Sequence, residues 1–115
     1  MAKNMVIAGD YQGKGVGISV KGVFITTKIM NPLYLTKENV ESYEVITEEA
    51  AKSAASGAVR GIIGGAILGP VGMLAGSLSA KSKNTIVLAV QFKDGKRSLM
   101  EVDSNIYKNI MQMMF

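Results

Sequence analysis

Apolar and polar residues alternate with a period of two through most of the first fifty positions, which is the pattern of a strand buried on one face. Met5 to Ala8 is a short apolar run closed by Gly9-Asp10. Val16, Ile18 and Val20 then alternate with Gly17, Ser19 and Lys21. Lys21-Gly22 predicts a tight turn, and Val23, Ile25 and Thr27 against Phe24, Thr26 and Lys28 predict the returning strand. Asn31-Pro32 breaks it. Leu33 to Leu35 is a short strand, Thr36 to Asn39 a turn, and Val40 to Thr47 a further strand with Tyr43 and Val45 on one face. The alternation resumes at Asn84 to Lys93, where Asp94-Gly95 is a strong hairpin signal before a return strand over Lys96 to Val102. A two-residue loop there pairs Val90 with Leu99, but it also sets Phe92 against Arg97 and Leu88 against Glu101. Neither face is then cleanly polar. Either a bulge shifts the register or both faces are covered, by the glycine-rich segment or by a second subunit. Asp103 or Ser104 caps a last helix, about 104–115, with Ile106, Ile110, Met113 and Met114 on one face and Lys108, Asn109 and Gln112 on the other.

The middle of the chain has a different period. Glycines recur every fourth residue at Gly57, Gly61, Gly65 and Gly69, and again at Gly72 and Gly76. On a helix they share one face. Each costs about 1 kcal/mol relative to alanine, so close approach of another backbone is the expected compensation. Thr47 is the predicted cap, with Glu48 and Glu49 in the first turn where the helix dipole favours carboxylates. A helix from about Glu48 runs into the glycine ladder until Gly69-Pro70 stops it, and a second from Val71 to Ala80 folds back. The expected insertion, about 48–80, is an antiparallel helical hairpin whose glycine faces touch each other or those of another copy. Gly57, Gly61, Gly65, Gly69, Gly72 and Gly76 are its candidate packing and oligomer residues. The competing reading is a membrane span, because the 20 residues between Arg60 and Lys81 carry no charge and would reach about 30 Å as one helix. Six of those 20 are glycine, Pro70 sits at the midpoint and no Trp or Tyr belt flanks them. A span would also split the strands across a membrane. A buried packing element is the stronger expectation, with membrane contact as the alternative.

Composition narrows the chemistry. The 115 residues suit one domain. They include no cysteine and no histidine, which removes disulfides, thiol nucleophiles, imidazole acid/base catalysis and nearly all zinc chemistry. The carboxylates Glu38, Glu41, Glu44, Glu48 and Glu49 are spread over a turn, a strand face and a helix start, where solvation explains them. No catalytic, metal or cofactor constellation emerges, and the expectation is a protein that is not an enzyme. The segment GDYQGKGVG, Gly9 to Gly17, brings glycines beside Lys14, but its spacing is one residue short of a phosphate-binding loop, no Ser/Thr follows the lysine and a strand follows instead of a helix. A net charge of +4 permits contact with anions without demanding it, and Lys81, Lys83, Lys93, Lys96 and Arg97 are the candidates for anion or partner contact. The aromatics do not interleave with basic residues as a nucleic-acid stacking platform requires. The start MAKNMVIAGDYQ lacks the features of a signal peptide, so a cytoplasmic location is expected.

The element order is therefore about seven short antiparallel strands and a C-terminal helix, with a glycine-rich helical hairpin inserted before the last two strands. This α+β order resembles the pleckstrin-homology-like superfold, which implies one strongly bent seven-stranded sheet, or partial barrel, closed at one end by the helix. The run from YLTKENVESYEVI through GAVRGIIGGAILGPVGMLAG to IVLAVQFKDGKRSLMEV resembles small proteins of Gram-positive bacteria and their phages that pair such a β domain with a glycine-zipper segment. The resemblance implies fold and origin and brings no catalytic residues. The expected function is a non-enzymatic interaction module that forms a homo-oligomer and binds a protein partner. The alternatives are a phage or mobile-element factor that inhibits or sequesters host defence machinery, and a membrane-associated protein that uses the glycine-rich hairpin.

Overall fold

The computed structural model describes residues 4–27, 32–59, 61–76, 78 and 84–114. The alternating segments become strands β1 (Met5–Gly9), β2 (Val16–Ser19), β3 (Gly22–Ile25), β4 (Leu33–Tyr34), β5 (Val40–Val45), β6 (Thr85–Phe92) and β7 (Arg97–Asp103). Helices α1 (Glu48–Ala55), α2 (Leu68–Met73) and α3 (Ser104–Met114) accompany them, with a 3-10 turn over Gly65–Ile67 leading into α2. Among the described residues the strands divide into two antiparallel sheets, one of four in the order β1-β7-β6-β5 and one of three in the order β2-β3-β4. The class is α+β, and the strand pairing gives two sheets where one of seven strands was expected. The outer side of β1 is not bare. The Val6 N–H donates to the Lys14 carbonyl (2.8 Å), the Gly13 N–H to the Val6 carbonyl (2.9 Å) and the Val16 N–H to the Asn4 carbonyl (2.8 Å), so the chain entering β2 runs alongside it.

The register of the β6/β7 hairpin follows from its loop. Gln91 pairs with Arg97, Val90 with Ser98 and Leu88 with Met100, one residue away from the pairing that a two-residue loop implies. Gly95 adopts φ +94, its N–H donates to the Phe92 carbonyl, and the Phe92 N–H donates to the Lys96 carbonyl. A turn that ends on a left-handed glycine adds one residue to the loop, as a G1 bulge does. The extra residue sorts the side chains. Leu88, Val90, Phe92, Met100 and Val102 face one core, and Val87, Ala89 and Leu99 face another.

The four-stranded sheet is thus buried on both faces. On one side lie the three-stranded sheet and α3, which contribute Val16, Val23, Ile25, Ile106 and Ile110. On the other side the insertion lays Ala50, Ala51, Ala54, Ile62, Ile63, Ile67 and Val71 over Ala8, Val87, Ala89 and Leu99. Burying an isoleucine or valine side chain stabilises by about 1.5–3 kcal/mol relative to exposure. This hydrophobic gain holds the insertion down despite its short helices. Strand β1 serves both cores because its register to β7 shifts between Val6 and Ala8. The bulge at Ile7 lets Val6 enter the first core and Ala8 the second.

The insertion departs from the expected hairpin of two long helices. Thr47 caps α1 as predicted, its Oγ1 accepting the Ala50 N–H at 3.1 Å. The helix then ends at Ala55 instead of continuing to Gly69. Gly57 has φ +85, its N–H donates to the Ala54 carbonyl and the Ala58 N–H donates to the Ser53 carbonyl. That pair of bonds is the Schellman closure of a helix. Gly61 (φ +55), Gly65 (φ +54) and Gly76 (φ +88) are also left-handed, a conformation that interrupts a continuous right-handed α-helix. The recurrence of glycine is therefore largely a series of turns and not one helical face. Pro70 falls in the first turn of α2, where a missing N–H removes no intrahelical bond. It does not separate two helices. At the C-terminal end, Asp103 resolves the choice of cap for α3, since its Oδ1 accepts the Ile106 N–H at 2.8 Å. The Asp103 N–H also donates to Asn4 Oδ1 (2.8 Å), and Asn4 Nδ2 donates to Asp103 Oδ2 (3.2 Å).

Candidate functional site

The second core is open at one edge. Where β1 turns over at Ile7, α2 approaches the strand without closing on it, and a groove of about 670 Å³ remains, walled by Ile7, Pro70, Met73 and Leu74 over Ala8 and Leu99. Among the described residues Gln12 is the only polar side chain at its margin. Gly9, at φ +95, allows the chain to turn away beneath it, and a Cβ there would collide with the carbonyl oxygen of Arg97. Met73 stands at the rim with 84% of its surface exposed. A soluble monomer does expose single apolar residues, but an exposed methionine on the lip of an apolar groove is the composition of an adaptable contact surface.

Of the six candidate packing glycines, Gly72 alone meets the backbone of another helix. A Cβ on it would lie 2.9 Å from both Cα and N of Ala55 and 3.2 Å from the carbonyl carbon of Ala54. Here α2 crosses α1 with no room for a side chain. Gly69 sits on the same short helix with nothing within 4 Å of a Cβ, and the same is true of Gly57 and Gly76. A Cβ on Gly61 would come within 3.4 Å of Glu44 Oε1, and one on Gly65 within 3.5 Å of an Arg97 guanidinium nitrogen. The six glycines are therefore not brought together.

The candidate cations also scatter. Lys81 and Lys83 lie outside the described residues. Lys93 and Lys96 are exposed on the β6/β7 hairpin. Lys96 Nζ lies 3.9 Å from Asp94 Oδ2 and 5.5 Å from the centre of the Tyr11 ring. Tyr11 in turn meets Phe92 edge to face at 5.5 Å. Lys93 lines a small cleft of about 190 Å³ with Tyr11, Leu33, Glu38, Asn39, Phe92 and Asp94. Carboxylates accompany both lysines, so no surface of one sign is built. Arg97 is half-buried, its backbone N–H donating to Asp10 Oδ2 at 2.8 Å, and its guanidinium reaches toward Gly64 and Gly65. Among the described residues no three acidic side chains converge as a metal site would require, and no helix is long and apolar enough to cross a membrane.

Met73 and the groove were not legible in the sequence. The sequence places Met73 near the start of a helix from Val71 to Ala80, whereas α2 runs from Leu68 to Met73 and so ends at this residue; Ser77, Ser79 and Ala80 lie outside the described residues. Comparison of the chain with protein-family models, curated proteins and solved structures finds no match.

Proposed function

We propose that this protein is a non-enzymatic interaction module that self-associates and binds a protein partner. The observation that carries the reading is the apolar groove between β1 and α2 with Met73 exposed on its lip. Covering it removes apolar surface from water at about 25 cal/mol per Å², and only the surplus over the cost of association appears as affinity. Light scattering on the chain, separated by size in detergent-free buffer, tests this. A discrete mass above the monomer that falls on Met73→Asp supports the reading. A monomer at all concentrations, with Met73→Asp unchanged in stability and mass, overturns self-association.

We also propose that the two sheets work as one bent seven-stranded surface of the pleckstrin-homology-like kind, as the resemblance implies. The hydrogen bonds between β1 and residues 13–16 and the capping of one end by α3 support it. The amides of Val6, Gly13 and Val16 should then exchange as slowly as those of β6 and β7. Rapid exchange of these three would leave two independent sheets.

A further inference from the structure

Ser19 and Gly22 form the last pair between β2 and β3, which leaves Val20 and Lys21 at the hairpin tip. Tips of this kind favour glycine, asparagine and aspartate. Here the tip carries a fully exposed valine, and Ile18, two residues earlier on the same side of the strand, is 43% exposed. The tip is also braced. A Cβ on Gly22 would collide with the side chain of Met113 from α3, and Met113 Sδ accepts the Val23 N–H at 3.0 Å. Such a tip loses little conformational freedom on binding.

We infer that the β2/β3 tip, led by Val20 and Ile18, seats in the β1/α2 groove of a second copy of this chain, in a head-to-tail contact. The inference rests on the self-association proposed above and names its two surfaces. The chain carries both halves: an apolar knob without a role in its own core, and an apolar groove with Met73 unburied. Their charges agree, because Lys21 at the tip is exposed and Asp10, which follows groove residue Gly9, is exposed, one of its carboxylate oxygens accepting the Arg97 N–H. The tip is braced by α3 on the first-core side of the four-stranded sheet, and the groove opens on the second-core side. Two different patches in contact make a heterologous interface, which closes into a ring or continues as a chain of copies.

The test is light scattering on the wild type, Val20→Asp, Met73→Asp and an equimolar mixture of the two variants, with melting curves to establish that each is folded. Each variant alone should be monomeric, its association weakened about tenfold or more, as for loss of a central anchor. The mixture should form a dimer and nothing larger, because one variant keeps its groove and the other its tip. Val20→Ser and Met73→Gln give the same pattern, more weakly, if the aspartate variants do not fold. An associated wild type whose mass survives Val20→Asp overturns the inference and leaves self-association standing. A mixture that stays monomeric also overturns it, since it points to an isologous contact. A monomeric wild type removes both. Sedimentation of that monomer with phosphatidylglycerol vesicles, abolished by Val20→Asp, would assign the tip to lipid and overturn the inference as well.

Discussion

Replacing Gly72 and Gly69 by alanine, one at a time, separates close packing from helix propensity. Both glycines lie in α2, and neither has positive φ. On propensity alone each substitution should stabilise by up to about 1 kcal/mol. At Gly69 nothing lies within 4 Å of the new Cβ, so that gain is realised. At Gly72 the new Cβ meets Ala55 Cα and N at 2.9 Å, and ordinary contact begins near 3.4 Å. The helices must separate by about 0.5 Å or more, and the obstacle is backbone that cannot rotate aside. Overpacking of this kind costs about 1–3 kcal/mol. Because the propensity gain is common to both, the difference between the variants reads the steric cost directly. Gly69→Ala should be more stable than Gly72→Ala by about 1–3 kcal/mol, or roughly 4 °C in Tm for each kcal/mol. Urea unfolding of the two variants and the wild type measures it, with equal m-values as the condition for comparison. Equal stability of the two variants, or a more stable Gly72→Ala, would refute the close approach of α2 to α1.

Three further outcomes follow from individual contacts. Ser98 Oγ is fully buried with no hydrogen-bond partner among the described residues, so Ser98→Ala should raise the stability by about 1 kcal/mol, and a loss of that size on denaturant unfolding would show that the hydroxyl has a partner. Asp103→Ala removes the cap of α3 together with the side-chain hydrogen bond from Asn4 Nδ2, leaving the one from the Asp103 N–H to Asn4 Oδ1, and should cost about 1–2 kcal/mol, with Asn4→Ala non-additive to it in a double-mutant cycle. Gly61→Asn should retain more stability than Gly61→Leu, because asparagine tolerates the left-handed φ of +55 better than leucine; equal melting temperatures would mean that φ is not what demands glycine there.

Local pattern made much of this architecture legible. Alternation over Val16–Ser19, Gly22–Ile25 and Val40–Val45 gave strands within a few residues, because a half-buried strand writes its two faces into the sequence. Thr47 and the Asp103-Ser104 pair marked helix starts, since a side-chain oxygen beside the first free N–H groups is a local device. The mixed faces of β6 and β7 also held true information. They required either a bulge or cover on both sides, and the structure has both. The four-residue glycine spacing was the misleading signal. A glycine that closes a helix, as Gly57 does, one that turns a loop, as Gly61 does, and one that admits a neighbouring backbone, as Gly72 does, are the same letter in a sequence.

What the sequence by itself determined is the inventory of this protein: about seven strand segments, the β2/β3 and β6/β7 hairpins, the cap of α1, the start of α3 at Asp103-Ser104, and a composition without cysteine or histidine. The tertiary structure decided which face of each strand meets which cover, that the insertion ends in short helices, and that Met73 and Val20 are left outside. Strand period and capping are set by neighbours a few residues apart. The bulge at Ile7, the crossing at Gly72 and the exposure of Met73 depend instead on segments dozens of residues apart being brought into contact, and burial is a property of that contact.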